Sequence, residues 1–301
     1  MTETFTLAHF TDVHLPPIVG FDPRYWNVKR ALGFLNWQRG RRSVHTREMA
    51  NRLIDDAKAL RPDHIAITGD LVNLGLPGEH VAALNWLQSV GTPDSVTVVP
   101  GNHDVYSNIH GDEGIARWAA YMGGDADTHA FPFVRRLGPI ALVGLNSAVE
   151  TPPFFASGKL GPDQIEVAGD LLDRLADDGA IRVVLIHHPP FDGMTTVRRS
   201  LKDAKLFKRM LEKSGAELLL YGHNHTPHMM WLPTETGPVA VIAGGSASAA
   251  RRHKNEALAS YNLFTFFKSN QGLRIRHVRR GLETPDGPVV KLFETVLNSE
   301  P

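Results

Sequence analysis

Residues 101–104 read Gly-Asn-His-Asp and closely follow the apolar run 96–99, and they form one of five stretches on which the fold prediction rests. The β-branched residues of that run are typical of a buried strand. The glycine lets the backbone turn tightly, and the asparagine, histidine and aspartate then offer donor atoms to a ligand. The stretch therefore indicates a strand whose end carries a polar binding loop.

Four other apolar runs end in the same way, with polar residues that can bind a metal. They are followed by Thr-Asp-Val-His at 11–14, Gly-Asp at 69–70, His-His at 187–188 and Gly-His-Asn-His at 222–225. Ligands of open α/β sheets bind outside the carboxyl ends of the strands. The five stretches are therefore expected to meet in one crevice, although about 200 residues separate the first from the last.

Strand patterns alternate with helical patterns, in which apolar residues are spaced by threes and fours. This alternation predicts an α/β fold built in layers. The predicted strands are 5–10, 64–68, 96–99, 140–145, 181–186 and 217–221, followed from about 226 by a strand-rich antiparallel part with strands at 229–232, 239–243, 261–267 and 273–278. The predicted helices are about 49–60, 79–89, 162–175 and 204–213.

The composition limits the kind of protein this can be. With 301 residues, 42% of them hydrophobic, the chain can bury a large core, and the lack of repeats and long linkers favours a single domain over residues 1–301. The chain has no cysteine, which excludes disulfides, iron–sulfur clusters, thiolate zinc sites and cysteine nucleophiles. The 32 basic residues balance the 32 acidic residues, so binding to duplex nucleic acid is not expected.

The sequence shows neither a signal peptide nor a membrane span. Its first residues, Met-Thr-Glu-Thr-Phe-Thr, lack the basic and apolar regions of a signal peptide. No apolar run approaches the ~20 residues that cross a bilayer. A cytoplasmic location is expected, and a peripheral contact with the inner face of a membrane is left open.

The donor atoms of the five polar stretches suit a limited group of metals. Two carboxylates, an amide and several imidazoles favour Mn, Fe, Zn or Co over calcium or thiolate-bound metals. Seven such ligands exceed the needs of one tetrahedral centre with an open position. They fit two divalent or mixed-valence metal ions, about 3.5–4 Å apart, that share one carboxylate.

Taken in order, the motifs D-x-H, G-D, G-N-H-D, H-x-P and G-H-x-H resemble those of the calcineurin-like metallophosphoesterase superfamily. The resemblance covers residues from about 5 to 245. It implies a four-layer α/β/β/α sandwich, in which two mixed β-sheets are flanked by helices and the metal site lies at the carboxyl ends of the strands. One motif alone would be weak support, whereas all five in this order are specific.

The resemblance also implies a role for each polar residue. The first metal would be held by Asp12, His14, Asp70 and His225, and the second by Asp70, Asn102, His187 and His223. Asp70 would bridge the two metals. His103 would stand beside them and contact the phosphate or the leaving group, which makes His103 and Asp70 the expected catalytic residues.

Several neighbours of the motifs receive secondary roles. His187 is preferred to His188 as a ligand because the family's ligand lies two residues before a proline. Asn73 and Asp104 are expected to orient neighbouring groups rather than to bind metal, and Tyr106 is a candidate for lining the site. Three of the histidines outside the motifs are candidates for substrate contact: His45, His110 and His228.

Residues 21–47 form an insertion that the core motifs do not explain. It holds seven Lys or Arg against one acid, with aromatic residues interleaved. One interpretation is a basic surface helix that packs the apolar stripe of Val28, Leu32 and Leu35 on the domain. The other is a cap over the metal site that binds an anionic or lipidic substrate, or a contact with a membrane surface.

The expected function is a binuclear-metal-dependent phosphoric-ester hydrolase acting on a small phosphoester, in which a hydroxide between the metals attacks phosphorus in line. A phosphodiesterase of the cyclic-nucleotide or glycerophosphodiester type is the first choice. The alternative enzyme is a pyrophosphohydrolase acting on a nucleotide-linked lipid precursor, of the UDP-diacylglucosamine type. A catalytically inactive binding module with the same fold is the alternative from a different class. The oligomeric state is left open.

Overall fold

Two six-stranded β-sheets form the centre of the protein, whose computed structural model describes residues 3–107, 109, 113–125, 130–253, 256–269 and 272–298. The first sheet has the strand order β12-β11-β10-β1-β2-β3, and the second has the order β4-β5-β6-β7-β9-β8. Both sheets are mixed. In the first, β1, β2 and β3 are parallel and β10, β11 and β12 are antiparallel to their neighbours. In the second, β5, β6, β7 and β9 are parallel, and β4 and β8 are antiparallel edge strands.

The strands of the first sheet are β1 (Glu3–Phe10), β2 (His64–Ile67), β3 (Val96–Val98), β10 (Ser260–Ser269), β11 (Gly272–Leu282) and β12 (Val289–Asn298). Those of the second are β4 (Phe133–Leu137), β5 (Ile140–Gly144), β6 (Ile181–Leu185), β7 (Leu218–Tyr221), β8 (His228–Leu232) and β9 (Val239–Ala243). The α-helices are α1 (Val28–Asn36), α2 (Arg42–Val44), α3 (Arg47–Ala59), α4 (Pro77–Val90), α5 (Pro162–Asp177) and α6 (Ala204–Ser214).

Side-chain alternation along the strands of the second sheet shows how the layers are stacked. Ile140 and Leu142 of β5 belong to the core that also holds the apolar residues of the first sheet and of helices α3 and α4. Ala141 and Val143 point to the opposite face, in the core that holds α5 and α6. The order of layers is therefore helices, first sheet, second sheet, helices. The predicted four-layer α/β/β/α sandwich is confirmed.

The carboxyl-terminal part differs from the antiparallel unit that the sequence predicts. β9 is antiparallel to β8, as expected, but it also lies parallel to β7 in the second sheet. β10 and β11 cross to the first sheet and extend it antiparallel from β1. Two strands, β4 and β12, are not predicted from the sequence. Both lie at a sheet edge, where the backbone pairs with a neighbouring strand on one side only, and their pattern of apolar residues is weak.

The insertion at 21–47 contains α1, a π-helical turn (Trp37–Arg41) and α2. The expected packing of its apolar stripe on the domain is wrong, because Val28, Leu32 and Leu35 are 70%, 37% and 46% exposed. The opposite side of the insertion packs instead, and Trp37 lies in a small core with Ile18, Leu74 and Leu76.

Among the described residues, no helix is both long and apolar enough to cross a bilayer. The cytoplasmic location and the single-domain organisation stay predictions.

Candidate metal centre

The five polar stretches lie at the carboxyl ends of parallel strands from both sheets. Three follow β1, β2 and β3 of the first sheet, and two follow β6 and β7 of the second. Because the sheets pack face to face, these five strand ends meet at one end of the sandwich. All seven predicted ligand residues are buried there: Asp12, His14, Asp70, Asn102, His187, His223 and His225.

The backbone at these strand ends adopts conformations that L-residues rarely take. Among the described non-glycine residues, eight have a positive φ, and five of these are predicted ligands: Asp12, His14, Asp70, His223 and His225. Such φ angles cost of order 1–3 kcal/mol each, and they persist where the surroundings enforce them. The fold therefore holds these five side chains in place against a local conformational preference.

Two glycines allow the loops after β2 and β3 to touch. Gly69 has a φ of 85°, and a Cβ on it would overlap the backbone of Gly101. A Cβ on Gly101 would in turn overlap the backbone and the carboxylate of Asp70. Glycine at both positions therefore brings Asp70 and Asn102 within reach of the same site.

A first group of ligand atoms comes from Asp12, His14 and His225, whose donor atoms all lie within 4.8 Å of one another. The Nε2 atoms of His14 and His225 are 3.1 Å apart, and His225 Nε2 lies 3.2 Å from Asp12 Oδ1. That carboxylate oxygen is buried, and no described residue donates a well-aligned hydrogen bond to it. The three residues thus point unshared electron pairs at one small space.

A second group comes from Asp70, His187 and His223, again within 4.8 Å. His187 Nε2 lies 3.4 Å from Asp70 Oδ2, 3.3 Å from His223 Nδ1 and 3.2 Å from Asn102 Oδ1. Asp70 Oδ2 is also 3.8 Å from His14 Nε2. The same carboxylate oxygen therefore faces both groups.

Hydrogen bonds on the far side of the rings orient the histidines. His14 Nδ1 donates to the carbonyl oxygen of Val72 at 3.2 Å, and His187 Nδ1 donates to that of Thr68 at 2.6 Å. His225 Nδ1 donates to the Glu256 carboxylate at 3.1 Å. With Nδ1 as the donor, each Nε2 offers a lone pair to the site, which is the tautomer a metal-binding histidine needs. These converging lone pairs and the unpaired Asp12 oxygen fit cations.

The charges of the site perturb the pKa values of its histidines. Burial alone would lower the pKa of His225, but the carboxylates of Asp12 and Glu256 outweigh it and raise the pKa to about 9. For His187, burial is likewise outweighed by Asp70 and Asp12, and its pKa is also about 9. In the metal-free protein the site therefore holds protons where a cation would bind.

Asp104 ties the ligand-bearing loops together. Its two carboxylate oxygens accept hydrogen bonds from the backbone N–H groups of Gly101, Asp70 and Leu71, each at 2.8 Å, and of Val72 at 3.2 Å. This is the orienting role that the sequence analysis expects for Asp104.

Asn73 holds a neighbouring loop, since its side-chain amide donates to the carbonyl oxygen of Leu15 at 3.0 Å.

His103 stands beside the centre and contacts the insertion. Its Nδ1 donates to the carbonyl oxygen of Asn73 at 2.5 Å, and its Nε2 lies 3.0 Å from Nη1 of Arg41. A guanidinium only donates, so His103 Nε2 accepts this hydrogen bond and the imidazole is neutral. Tyr106 stacks on the His103 ring with centroids 5.5 Å apart.

The remaining candidate histidines occupy different surroundings. His188 is buried and its Nδ1 lies 2.8 Å from Ser147 Oγ. His45 is also buried, and its ring lies 4.9 Å from that of His14. His228 begins β8, where its Nδ1 lies 3.2 Å from the hydroxyl oxygen of Tyr221. His110 lies outside the described residues.

A cleft of about 560 Å³ opens onto Asn102 and His103. The insertion forms one wall of this cleft, as the cap interpretation predicts, and the loop 153–156 and Arg199 contribute to the rest. Phe154 and Phe155, 76% and 43% exposed, add apolar surface. The residues lining the cleft are Lys29, Leu32, Gly33, Leu35, Asn36, Arg39, Arg41, Asn102, His103, Tyr106, Pro153, Phe154, Phe155, Ala156 and Arg199.

Several residues of the cleft and of the candidate metal centre could not be identified from sequence motifs. Arg199, Glu256 and the pair Phe154-Phe155 belong to loops without a motif, and only the fold brings them to the site. An aromatic pair directly after Pro152-Pro153 is the one local feature that would have indicated an exposed loop.

The family model of the calcineurin-like phosphoesterases matches residues 5–227 of this chain. The chain belongs to the calcineurin-like phosphoesterase family. The resemblance on which the sequence analysis rests is thereby confirmed. Membership places the chain among the metallophosphoesterases, in agreement with its clusters of histidine and aspartate.

Curated relatives of this calcineurin-like phosphoesterase are named as cyclic nucleotide phosphodiesterases. A probable cyclic nucleotide phosphodiesterase of Synechococcus is 26% identical over 226 residues, which cover 74% of each chain. A probable cyclic nucleotide phosphodiesterase of Rhodococcus erythropolis is 27% identical and the match covers 61% of this chain and 57% of that protein. A cAMP/cGMP dual specificity phosphodiesterase of Mycobacterium tuberculosis is 25% identical, with 73% and 62% covered. The chain thus spans less than two thirds of the last two relatives.

Solved structures show the same fold at low sequence identity. A dimetal phosphatase from Danio rerio superposes with a TM-score of 0.60 at 14% identity, over 96% of this chain and 98% of that one. A purple acid phosphatase from yellow lupin superposes with a TM-score of 0.56 at 13% identity, over 98% of this chain and 54% of that one. These similarities concern the architecture alone.

Proposed function

We propose that this chain is a binuclear-metal-dependent phosphodiesterase. The observation that carries the proposal is the position of Asp70, whose Oδ2 lies 3.8 Å from His14 Nε2 and 3.4 Å from His187 Nε2. One carboxylate oxygen between two groups of nitrogen and oxygen donors is the arrangement that a pair of cations requires. The family and the names of the curated relatives support a phosphoester substrate.

The proposed ligands are the seven buried side chains of the site. Asp12, His14, Asp70 and His225 would hold one metal, and Asp70, Asn102, His187 and His223 would hold the other. When bound, the two cations would supply a nucleophilic water at neutral pH and offset the negative charge of the phosphoryl oxygens. The donor set suits Mn, Fe, Zn or Co.

The residues around the centre position the substrate. His103 and Asn102 face the cleft, so a phosphoester that reaches the metal ligands passes along both side chains. His103 acts as a neutral imidazole that holds Arg41 through Nε2, and Arg41 brings a positive charge to the side where the leaving group departs. The expected contact of His103 with the phosphate or the leaving group stays a prediction.

Cyclic nucleotides and glycerophosphodiesters are the proposed substrate classes. The exposed rings of Phe154 and Phe155 offer a surface on which a nucleobase can stack.

A pyrophosphohydrolase acting on a nucleotide-linked lipid precursor is the second candidate. It is favoured by the cations Lys29 and Arg39, which line the cleft beside the exposed Leu32 and Leu35. Contact of the insertion with a membrane surface belongs to this second candidate.

Metal analysis combined with hydrolysis of bis-p-nitrophenyl phosphate tests the proposal. We expect the purified protein to bind two metal ions, to lose diesterase activity on chelation and to regain it when metal is restored. Asp70→Ala should lose both metal and activity, whereas Asp173→Ala, which removes an exposed carboxylate of α5, should lose neither. Activity that survives removal of all metal would contradict the proposal, and a metal-loaded protein without hydrolytic activity would favour a binding module.

A screen of natural substrates then separates the two candidate enzymes. Turnover of cyclic nucleotides or glycerophosphodiesters would support the diesterase. Preferential turnover of nucleotide-diphospho-sugars would support the pyrophosphohydrolase.

A further inference from the structure

We propose that Arg41 and Arg199 together form a binding site for a second anionic group of the substrate, next to the phosphoryl group that is cleaved. This inference rests on the proposed function, because it concerns the same cleft. It assigns to the insertion at 21–47 a direct part in substrate selection. The substrate class it implies is a phosphoester that carries a further phosphoryl or carboxylate group. Among the proposed diesters it therefore favours glycerophosphodiesters with an acidic alcohol over simple cyclic nucleotides.

Arg41 reaches the cleft from the last residue of the π-helical turn of the insertion. Its Nη1 donates to His103 Nε2 at 3.0 Å, which fixes one side of the guanidinium at the edge of the candidate metal centre. With the described residues, this guanidinium makes no other hydrogen bond. A guanidinium has five N–H donors, so the remaining ones can serve an anion in the cleft.

Arg199 approaches the same cleft from the loop between β6 and α6. Its Nη2 donates to the carbonyl oxygen of His223, which anchors the side chain to a loop that carries two predicted ligands. Its Nε also donates to Nε2 of the same histidine at 3.4 Å. Arg41 and Arg199 line one cleft, and an anion bound between them would offset their like charges.

Carboxylates of the candidate metal centre, namely Asp12, Glu256 and Asp70, offset part of the charge of Arg199, but they do not line the cleft. Four cations line the cleft, namely Lys29, Arg39, Arg41 and Arg199, and none of the described lining residues is a carboxylate. Glu256 lies close enough for Arg41 to lower its pKa, but its carboxylate already accepts from His225. The positive charge of the cleft is left for a ligand.

A phosphodiester carries one negative charge, and its phosphoryl oxygens are the atoms that the predicted metal centre neutralises. Two further guanidinium groups exceed what that single charge needs. The planar fork of a guanidinium matches the paired oxygens of a phosphoryl or a carboxylate group. A second anionic group on the same substrate would therefore balance the excess positive charge of these two guanidinium groups.

Competitive inhibition of bis-p-nitrophenyl phosphate hydrolysis by three small anions tests the inference. Inorganic phosphate has one anionic group, methylenediphosphonate has a second phosphoryl group, and phosphonoacetate has a carboxylate in that place. We expect both two-headed anions to bind wild-type protein more tightly than phosphate. Whichever of the two binds more tightly identifies the chemistry of the second group.

The variants Arg41→Gln and Arg199→Gln should each weaken the two-headed anions by about 10- to 100-fold, the usual effect of one lost charge-assisted hydrogen bond. Inhibition by phosphate should stay unchanged. The matched control is Arg42→Gln, because Arg42 is exposed and lies over the Trp37 ring rather than in the cleft. All assays contain excess metal, so that chelation by the anions affects variants and control equally.

Equal weakening of phosphate and of the two-headed anions would overturn the inference, because the arginines would then hold the cleaved group itself. Unchanged binding of all three anions would overturn it as well. Metal content and melting temperature are measured for every variant, and Arg41→Lys, which keeps the charge, should retain part of the preference. If wild-type protein binds metal but does not hydrolyse the diester, calorimetric titration of the same anions still tests the site while the proposed function fails.

Discussion

The Nε2 atoms of His14 and His225 lie 3.1 Å apart, although 211 residues separate the two histidines in the chain. Each ring has its Nδ1 occupied as a donor, so the two lone pairs face each other across the candidate metal centre. Only a proton or a cation between them makes this contact favourable. The fold thus prepares a place for positive charge before any metal arrives.

Metal binding should therefore release protons. His187 and His225 have pKa values of about 9 in the metal-free protein, so both imidazoles are charged at pH 7.5 and must lose a proton to bind metal. We expect about two protons to be released per protein at that pH, and apparent metal affinity to rise with pH up to about 9. Calorimetry in buffers of different protonation enthalpy measures the number.

Glu256→Gln provides the comparison for this experiment. It removes a carboxylate that raises the pKa of His225, so fewer protons should be released than from wild-type protein. Release of no proton would contradict the geometry of the donor atoms.

The stability of the metal-free protein also depends on the protonation of His187 and His225. The pKa values of both histidines are raised in the folded protein. Their contribution to the free energy of unfolding is therefore complete below about pH 6.5, and it is lost as the pH rises through about 9.

Replacing Asp104 with alanine should be strongly destabilising. Four buried backbone N–H groups would lose their acceptor, from the loops that follow β2 and β3. We expect a loss of about 3–5 kcal/mol in the free energy of unfolding, measured by urea denaturation. The control is Asp178→Ala, which breaks a surface ion pair with Arg136 and should cost less than about 1 kcal/mol. Equal effects of the two changes would show that Asp104 does not hold these loops.

Arg30 should anchor the insertion to the domain. It is 1% exposed, and it donates to the carbonyl oxygens of Leu74, Tyr25, Gly75 and Ser107. Arg30→Met keeps the apolar stem but removes all of these donors.

We expect chymotrypsin to cleave within 21–47 faster in Arg30→Met than in wild-type protein, and KM for the diester to rise because the cleft loses its wall. Arg24→Met removes an exposed guanidinium from the same insertion and should leave both properties unchanged. Cleavage at the wild-type rate in Arg30→Met would mean that other contacts hold the insertion.

The sequence predicted the placement of the candidate metal-binding residues because their motifs follow apolar runs that must be buried. A parallel strand ends at a fixed edge of its sheet, so Asp12 and Asn102 could be placed together from the pattern alone. The positive φ angles of Asp12 and His225 could not be predicted from the sequence, since tertiary contacts impose these conformations on residues that do not favour them.

Other features depend on surfaces that are distant in sequence. Helical spacing shows that Val28, Leu32 and Leu35 share a face, but it does not show whether a partner covers that face, and here it is exposed. Arg199 reaches the cleft through a loop with no periodicity to read. The parallel pairing of β9 with β7 could not be predicted either, because the short apolar runs of these two strands do not show which sheet each strand joins.

Anomalous diffraction from crystals soaked in a manganese salt would show whether the seven predicted ligand side chains hold two cations. We expect two peaks about 3.5–4 Å apart, with Asp70 between them and the other six predicted ligands around them. A single peak, or peaks away from these side chains, would mean that the site does not hold a pair of cations.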